Sequence, residues 1–164
     1  MKKPARQIRS ITMKPDLSFT SVEFEYSVEG EEEDDDVIKD KVGSSKRPNK
    51  EFVDAMKSLR RLSLDTCETI PNAKEINMWR VTQVKIAGSI ALKTSRASFK
   101  LSKSVERTNK EVGFGPTPQI TMYPEKEDES RYHKAEELAK LIEKVCDEAL
   151  AYADSTRQME LELA

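Results

Sequence analysis

The feature that most constrains the fold is an amphipathic stripe over residues 130–153. Its apolar side chains recur at helical spacing, namely Ala135, Leu138, Leu141, Ile142, Val145, Ala149 and Tyr152. Charged residues fill the opposite side, and we interpret that side as a solvated face. A helix with one apolar side has to bury it against a second layer, so the rest of the chain must supply that layer.

Alternating apolar and polar residues predict that the second layer is a β-sheet. Over residues 8–28 the apolar positions change parity near Thr20, which predicts two strand pieces or one strand with a bulge. Residues 76–92 and 97–105 alternate in the same way, and 97–105 gives the clearest strand signal. Residues 119–123 are long enough for one short strand.

The first helix is predicted over residues 50–64. Asn49 has the side chain of an N-cap, Glu51 follows in the first turn, and the next apolar residues are spaced four and three apart. The element order is then β-α-β-β-β-α. We expect an α+β fold in one domain, residues 1–164, with an antiparallel sheet of about four strands and both helices packed on one face.

An acidic run interrupts this pattern and predicts a flexible acidic loop over residues 30–48. Its centre is an unbroken block of Glu31, Glu32, Glu33, Asp34, Asp35 and Asp36. Calcium loops interleave their acids with turn residues, so this block indicates a solvated segment and no metal site. We also weigh it as a partner-binding segment that imitates a nucleic-acid backbone or covers the chain's own basic face.

Positive charge gathers in a different part of the chain, although the net charge is only −2. The cations between residues 80 and 110 are Arg80, Lys85, Lys93, Arg96, Lys100, Lys103, Arg107 and Lys110. Strand alternation places Arg96 and Lys100 on one strand face together with serines. Such a face supplies donors for the phosphates of DNA or RNA, and the alternative is an ordinary solvent-facing sheet surface.

The sequence shows no motif for catalysis or nucleotide binding. His133 is the only histidine and has no nucleophile at a suggestive spacing, so we expect an exposed or capping residue. The segment 113–116 lacks the rest of a phosphate-binding loop and indicates a turn between strands. We therefore predict a protein that is not an enzyme and that has no catalytic residue, metal or cofactor.

The location of the protein is predicted from its cysteines and its first residues. Cys67 and Cys146 are far apart without a CxxC pattern, which favours two reduced thiols. The basic start of the chain is not followed by the apolar run of a signal peptide or a membrane span. We expect a cytoplasmic protein without a membrane partner.

The segment 148–163, EALAYADSTRQMELEL, resembles the ending of small uncharacterised proteins of tailed bacteriophages and prophages. In those proteins a helix with Glu-Ala and Tyr leads into a short tail that contains Arg, acids and Leu. The order of strand, helix, strands and helix is also similar. The resemblance implies a phage or prophage origin, the cytoplasm of a bacterial host and an accessory role near replication or recombination genes. It carries over no catalytic or binding residue.

The tail, residues 154–164, supports a second hypothesis. Met159, Leu161 and Leu163 alternate with glutamates, so the tail is predicted either to fray or to add as a strand to a sheet edge. That edge would belong to this molecule, to a second copy in a homo-oligomer, or to a host or phage protein. Our leading hypothesis is a non-catalytic, phage-type accessory protein that contacts nucleic acid or a nucleic-acid-handling complex through the basic sheet region. The alternative is a protein-interaction module, or an inhibitor of a host factor, that uses the acidic loop or the tail.

Overall fold

The computed structural model describes residues 5–28, 36–69, 71–72, 74–123 and 132–163. The strands are β1 (Arg6–Met13), β2 (Thr20–Val28), β3 (Asp36–Ser44), β4 (Trp79–Ala87), β5 (Arg96–Val105), β6 (Lys110–Phe114) and β7 (Ile120–Thr121). The helices are α1 (Lys50–Ser58), α2 (Arg60–Asp65) and α3 (Ala135–Leu163), and a 3₁₀ turn spans Glu75–Met78. The expected α+β class is confirmed.

All strand pairs are antiparallel, as expected, but the strand number and order differ from the prediction. The sheet runs β3-β2-β1-β4-β5-β6, and the short β7 pairs with β5 beside β6. Within the described residues it has seven strands, so the expectation of about four was wrong. The order β-α-β-β-β-α was also wrong, because three strands precede α1.

The parity change near Thr20 comes from a turn between two strands. After Met13 the chain reverses through a tight loop in which the Lys14 amide donates to the Phe19 carbonyl over 3.0 Å. Leu17 takes a left-handed conformation there, with φ of 61°. The prediction of two strand pieces is confirmed, and β1 also carries a bulge between Ile8 and Ser10.

Two edge strands lie where the sequence predicted irregular chain. Strand β3 pairs with β2 along its whole length, so the flexible-loop prediction for 30–48 was wrong for residues 36–44. Glu31, Glu32, Glu33, Asp34 and Asp35 lie outside the described residues, and Asp36 begins β3. Strand β6 takes in part of the predicted 113–116 turn, and the turn itself falls at Gly115 with φ of 113°.

The core lies between one face of the sheet and the helices. Ile11, Val22 and Val84 on the sheet are fully buried, as is Leu138 on α3. They belong to one connected apolar cluster that includes residues of every helix. Both helical segments therefore cover the same sheet face, as predicted, and the described part of the chain places no helix on the opposite face, which we call the open face.

Helix α1 starts as predicted and is anchored to α3. The Asn49 side chain accepts a hydrogen bond from the Phe52 amide over 2.9 Å, which is the N-cap arrangement. The ring of Phe52 packs 5.6 Å from the ring of Tyr152, whose hydroxyl donates to the Lys46 carbonyl over 2.8 Å. The predicted single helix breaks at Leu59 into α1 and α2.

Helix α3 is longer than its apolar stripe predicted. The expected end near Ala153 was too early, because the helix continues to Leu163. The expectation that the tail frays or forms a strand was therefore wrong: the described tail residues are helical. The helix is fastened to the sheet by Arg6, which donates to the Asp154 carboxylate over 2.6 and 2.9 Å, and by an ion pair of Arg157 with Asp40.

Candidate functional site

The eight cations predicted as one basic region are split among three places. Lys85, Arg96 and Lys100 alternate with buried residues and face the open side of the sheet, Arg80 and Lys103 lie beside Trp79, and Lys93, Arg107 and Lys110 lie in or next to turns. These side chains do not form the single cationic face that their closeness in sequence predicts. Two of the eight reach a site that also gathers cations from other elements: Arg80 lines the cleft described below, and Lys85 lines a polar groove together with Arg9 and Lys41.

The open sheet face forms a polar groove of about 460 Å³. Small hydroxyl residues such as Ser10, Ser21 and Ser98 line it together with charged side chains. Two of its cations are already paired, since Arg9 lies 3.0 Å from Glu25 and Lys41 lies 3.5 Å from Glu23. The groove is therefore mixed in charge and attracts a polyanion weakly.

A second concavity, which we call the end cleft, lies where β1 ends and β4 begins. It has a volume of about 290 Å³ and is lined by Met13, Lys14, Pro15, Leu17, Arg47, Val53, Met56, Lys57, Arg60, Trp79, Arg80 and Val81. The β1–β2 turn supplies one wall and helix α1 supplies the wall opposite. Four segments of the chain thus meet at one site, namely residues 13–17, 47, 53–60 and 79–81.

The lining of the end cleft is strongly cationic. Five of its side chains carry positive charge, namely Lys14, Arg47, Lys57, Arg60 and Arg80, and none of the described lining residues is acidic. Two of the five are held in place, because Arg60 donates to the Asn77 amide oxygen over 2.9 Å and Arg80 donates to the Pro15 carbonyl. Both of these partners are neutral, so neither bond cancels the charge of its cation.

Local structure explains where these cations point. On helix α1 the residues Val53, Met56 and Lys57 are three and four positions apart, so they share one side, and Arg60 continues that side past the break at Leu59. On the opposite wall, the acidic residue Asp16 directly follows Lys14 and Pro15 in the sequence. Hydrogen bonds from Ser18 lower the pKa of Asp16, and the nearby Lys14 charge lowers it further.

The floor of the end cleft is apolar and includes the single tryptophan of the chain. Trp79 is 9% exposed and packs edge-on against Phe114, with ring centroids 5.7 Å apart. The Lys103 ammonium lies 5.6 Å from the centre of the Trp79 ring. Phe114 is 42% exposed, so an aromatic and cationic surface continues from Trp79. The arrangement offers donors for anionic groups around a place for a flat apolar group.

Most residues of the end cleft were not predicted from the sequence. Four of its five cations were not singled out. Lys14 and Arg47 are each the only cation that their segment contributes to the cleft, and Lys57 and Arg60 belong to an ordinary helix surface. One signal was present: Lys57 and Arg60 directly border the apolar stripe of the first helix, at the edge of its solvated face. Only the folded chain brings them next to Arg80.

The other predicted residues lie elsewhere. Met159, Leu161 and Leu163 are exposed on the last turns of α3. His133 is exposed beside the start of α3, with its Nε2 atom 3.9 Å from the Asp65 carboxylate. Both cysteines are unpaired, as predicted, and burial raises the pKa of the Cys146 thiol to about 12.

Across the described ranges, no three His, Cys, Asp or Glu side chains are grouped closely enough to hold a metal ion. None of the helices in the described part of the chain combines the length and the apolar character needed to span a membrane.

Comparison with known proteins identifies no relative. No protein-family model, no curated protein and no solved structure matches the chain. The resemblance to phage and prophage proteins therefore stays a prediction, and the end cleft has to be interpreted from its own chemistry.

Proposed function

We propose that this is a non-catalytic binding protein that holds a single strand of DNA or RNA in the end cleft. The observation that carries the proposal is the set of five cations without an acid among the described lining residues, arranged around an apolar floor. Lys and Arg side chains contact phosphates, and apolar or aromatic surfaces receive unstacked bases. The proposal moves the contact predicted from residues 80–110 to a different surface that shares only Arg80 with it.

The apolar floor favours a single strand over a duplex. Proteins that bind duplex phosphates need cations but no apolar floor, because the bases are stacked inside the helix. A single strand has unstacked bases that pack on apolar side chains such as the half-buried Leu17 and Val53, beside Trp79. The cleft volume of about 290 Å³ is near the lower end of small-ligand pockets, and so suits one base with its phosphates rather than a longer folded ligand.

The experiment is the binding of a fluorescently labelled single-stranded oligonucleotide, followed by anisotropy at several salt concentrations. The cleft variant is Lys57→Gln with Arg60→Gln. We expect it to bind roughly tenfold more weakly than wild type at low salt, since it loses two phosphate contacts.

The matched control is the open-face variant, Lys85→Gln with Lys100→Gln, which changes the net charge by the same amount. It should bind like wild type, because neither of its side chains lines the cleft. Binding lost in the control and kept in the cleft variant would place the contact on the open face. Wild type that binds no oligonucleotide at low salt would remove the proposal altogether.

A second candidate function, protein interaction through the tail, is favoured by the exposure of Leu161 and Leu163, which are 77% and 84% exposed. We propose that the accessory role implied by the phage resemblance includes such an interaction. The acidic block 31–35 lies outside the described residues, so this second proposal depends on the helical tail alone.

A further inference from the structure

Helix α3 extends beyond the domain that it helps to form. Its last buried residue is Thr156, which is 3% exposed, and the seven residues 157–163 after it are all exposed. At a rise of 1.5 Å per residue this tip is about 10 Å long. The apolar stripe continues into it, because Met159 and Leu163 follow Tyr152 and Thr156 at spacings of three and four.

The tip, residues 157–163, combines exposed apolar side chains with negative charge. Met159, Leu161 and Leu163 are 43%, 77% and 84% exposed. Glu160 and Glu162 lie between them; Glu160 is near enough to Arg157 to interact with its charge, and Glu162 accepts a hydrogen bond from the Gln158 amide over 3.4 Å. With two acids and one cation, the tip is negatively charged. The C-terminal end of a helix also carries partial negative charge from its free carbonyl groups.

The tip and the end cleft are complementary in charge and in apolar surface. The cleft presents five cations around an apolar floor, and the tip presents acids around apolar side chains. We propose that the α3 tip of one copy of this chain docks in the end cleft of a second copy. Glutamates of the tip would meet Lys57 and Arg60, and Leu161 or Leu163 would pack against the half-buried Leu17 and Val53.

The contact has to be intermolecular, because α3 is fastened away from its own cleft. Asp154 and Arg157 hold the helix to β1 and β3, and no residue of α3 lines the cleft. Each copy therefore offers one tip and one free cleft. Such a head-to-tail contact joins two different surfaces and generates a ring or an open chain of copies.

The contact is small, so we expect weak association that salt disrupts. Two helical turns bury far less than the roughly 1,200 Å² of a typical stable interface. The inference shares the cleft with the proposed function but does not depend on nucleic-acid binding. Where both operate, an oligonucleotide should compete with the tip and dissociate the assembly.

The test uses two charge-reversal variants in sedimentation velocity. The cleft-reversed variant is Lys57→Glu with Arg60→Glu, and the tip-reversed variant is Glu160→Lys with Glu162→Lys. Wild type should sediment faster as its concentration rises, and each variant alone should stay monomeric. We expect each variant to associate at least about tenfold more weakly than wild type, because attractive charge pairs become repulsive.

Mixing the two variants gives the decisive result. The mixture contains one intact tip, on the cleft-reversed copy, and one intact cleft, on the tip-reversed copy. The two variants should associate when mixed although neither associates alone, and this recovery is the signature of a contact between two different surfaces. A mixture that stays monomeric, or a wild type that stays monomeric at every concentration, would overturn the inference.

A matched leucine pair controls for general stickiness. Leu92 and Leu161 are both 77% exposed, one in the β4–β5 turn and one in the tip. Leu161→Gln should weaken association and Leu92→Gln should not; equal effects would overturn the tip as the contact. Oligonucleotide binding by the tip-reversed variant is measured separately and should be kept, because its cleft is intact. A wild type that binds oligonucleotide but does not self-associate would overturn this inference and leave the proposed function standing.

Discussion

The substitution Tyr152→Phe tests how helix α3 holds the segment that leads into the end cleft. The Tyr152 hydroxyl donates to the Lys46 carbonyl over 2.8 Å, next to Arg47, which lines the cleft. The change removes one hydroxyl and keeps the ring that packs 5.6 Å from Phe52. It therefore isolates one hydrogen bond between α3 and the link from β3 to α1.

The structure sets the magnitude of the effect. The bond is part-buried, so its net contribution to stability should be close to the usual value of about 1 kcal/mol. Retained ring packing excludes the roughly 3–5 kcal/mol that truncation of a buried aromatic costs. For a domain of this length, 1 kcal/mol corresponds to a fall in Tm of about 2–4 °C.

The assay is urea unfolding followed by circular dichroism, with Tyr26→Phe as the control. The Tyr26 hydroxyl has no hydrogen-bond partner among the described residues, so its removal should change the free energy of unfolding by less than about 0.5 kcal/mol. Tyr152→Phe should lower the midpoint and leave the slope unchanged. Equal effects of the two substitutions would refute the reasoning, because they would show that the hydrogen bond to Lys46 adds no stability.

Three further predictions follow from the same structure. A hydrogen bond from Arg157 lowers the pKa of Asp40. The carboxylate therefore stabilises the fold above its ordinary pKa of about 4, and this effect is lost as the pH falls through the lowered pKa. Asp40→Asn should reduce the free energy of unfolding at neutral pH, and the difference from wild type should disappear in acid. Burial raises the pKa of Cys146 to about 12, so a thiol reagent at about pH 8 should modify Cys67 in the native protein and Cys146 only after unfolding; rapid native labelling of both thiols would contradict this. In oligonucleotide titrations, the slope of log affinity against log salt should be smaller by about 1.4 for the cleft variant than for wild type, because each phosphate contact to a single strand contributes about 0.7; equal slopes would show that these two cations touch no phosphate.

Elements with strong local signals were predictable from the sequence. The alternation in β5, the apolar stripe of α3 and the N-cap at Asn49 all depend on residues within a few positions of one another. Each lies at a place where the chain has one buried side. Burial on one side imposes the period of the element on the sequence, and that period is what a single sequence displays.

The missed strands are edge strands, and their sequences lack that signal for a physical reason. Strand β3 has charged residues at Lys39, Asp40 and Lys41, and all five residues of β6 are exposed. An edge strand needs a partner on one side only, and charges on it discourage pairing with other molecules. The sequence of β3 therefore looks like a charged loop although the strand pairs with β2 over nine residues.

The tail shows how a short alternating pattern misleads. Met159, Leu161 and Leu163 alternate with glutamates, which suggested a strand, but Glu, Met and Leu are also good helix formers. No Gly or Pro follows Ala153 to stop the helix, so α3 continues through the tail. The alternation of apolar and acidic residues over only five positions was a weaker influence than the helix propensity of the same residues.

The end cleft was beyond prediction because it is assembled from distant segments. Its cations lie at positions 14, 47, 57, 60 and 80, and no two of them stand next to each other in the sequence. Clustering along the chain pointed instead to residues 80–110, which the strand pairing of β4 and β5 separates onto different surfaces. The strand order in the sheet, rather than composition, decides which charges meet.

The most direct test of the central claim is a ¹H–¹⁵N NMR titration of the protein with a single-stranded oligonucleotide. The chain has one tryptophan, so the indole signal of Trp79 reports on the cleft floor without ambiguity. We predict that this signal and the amides of Val53 and Lys57 shift together, and that added salt reverses the shifts. Shifts confined to the open-face residues Lys85 and Lys100, with Trp79 unmoved, would contradict the assignment of the end cleft as the binding site.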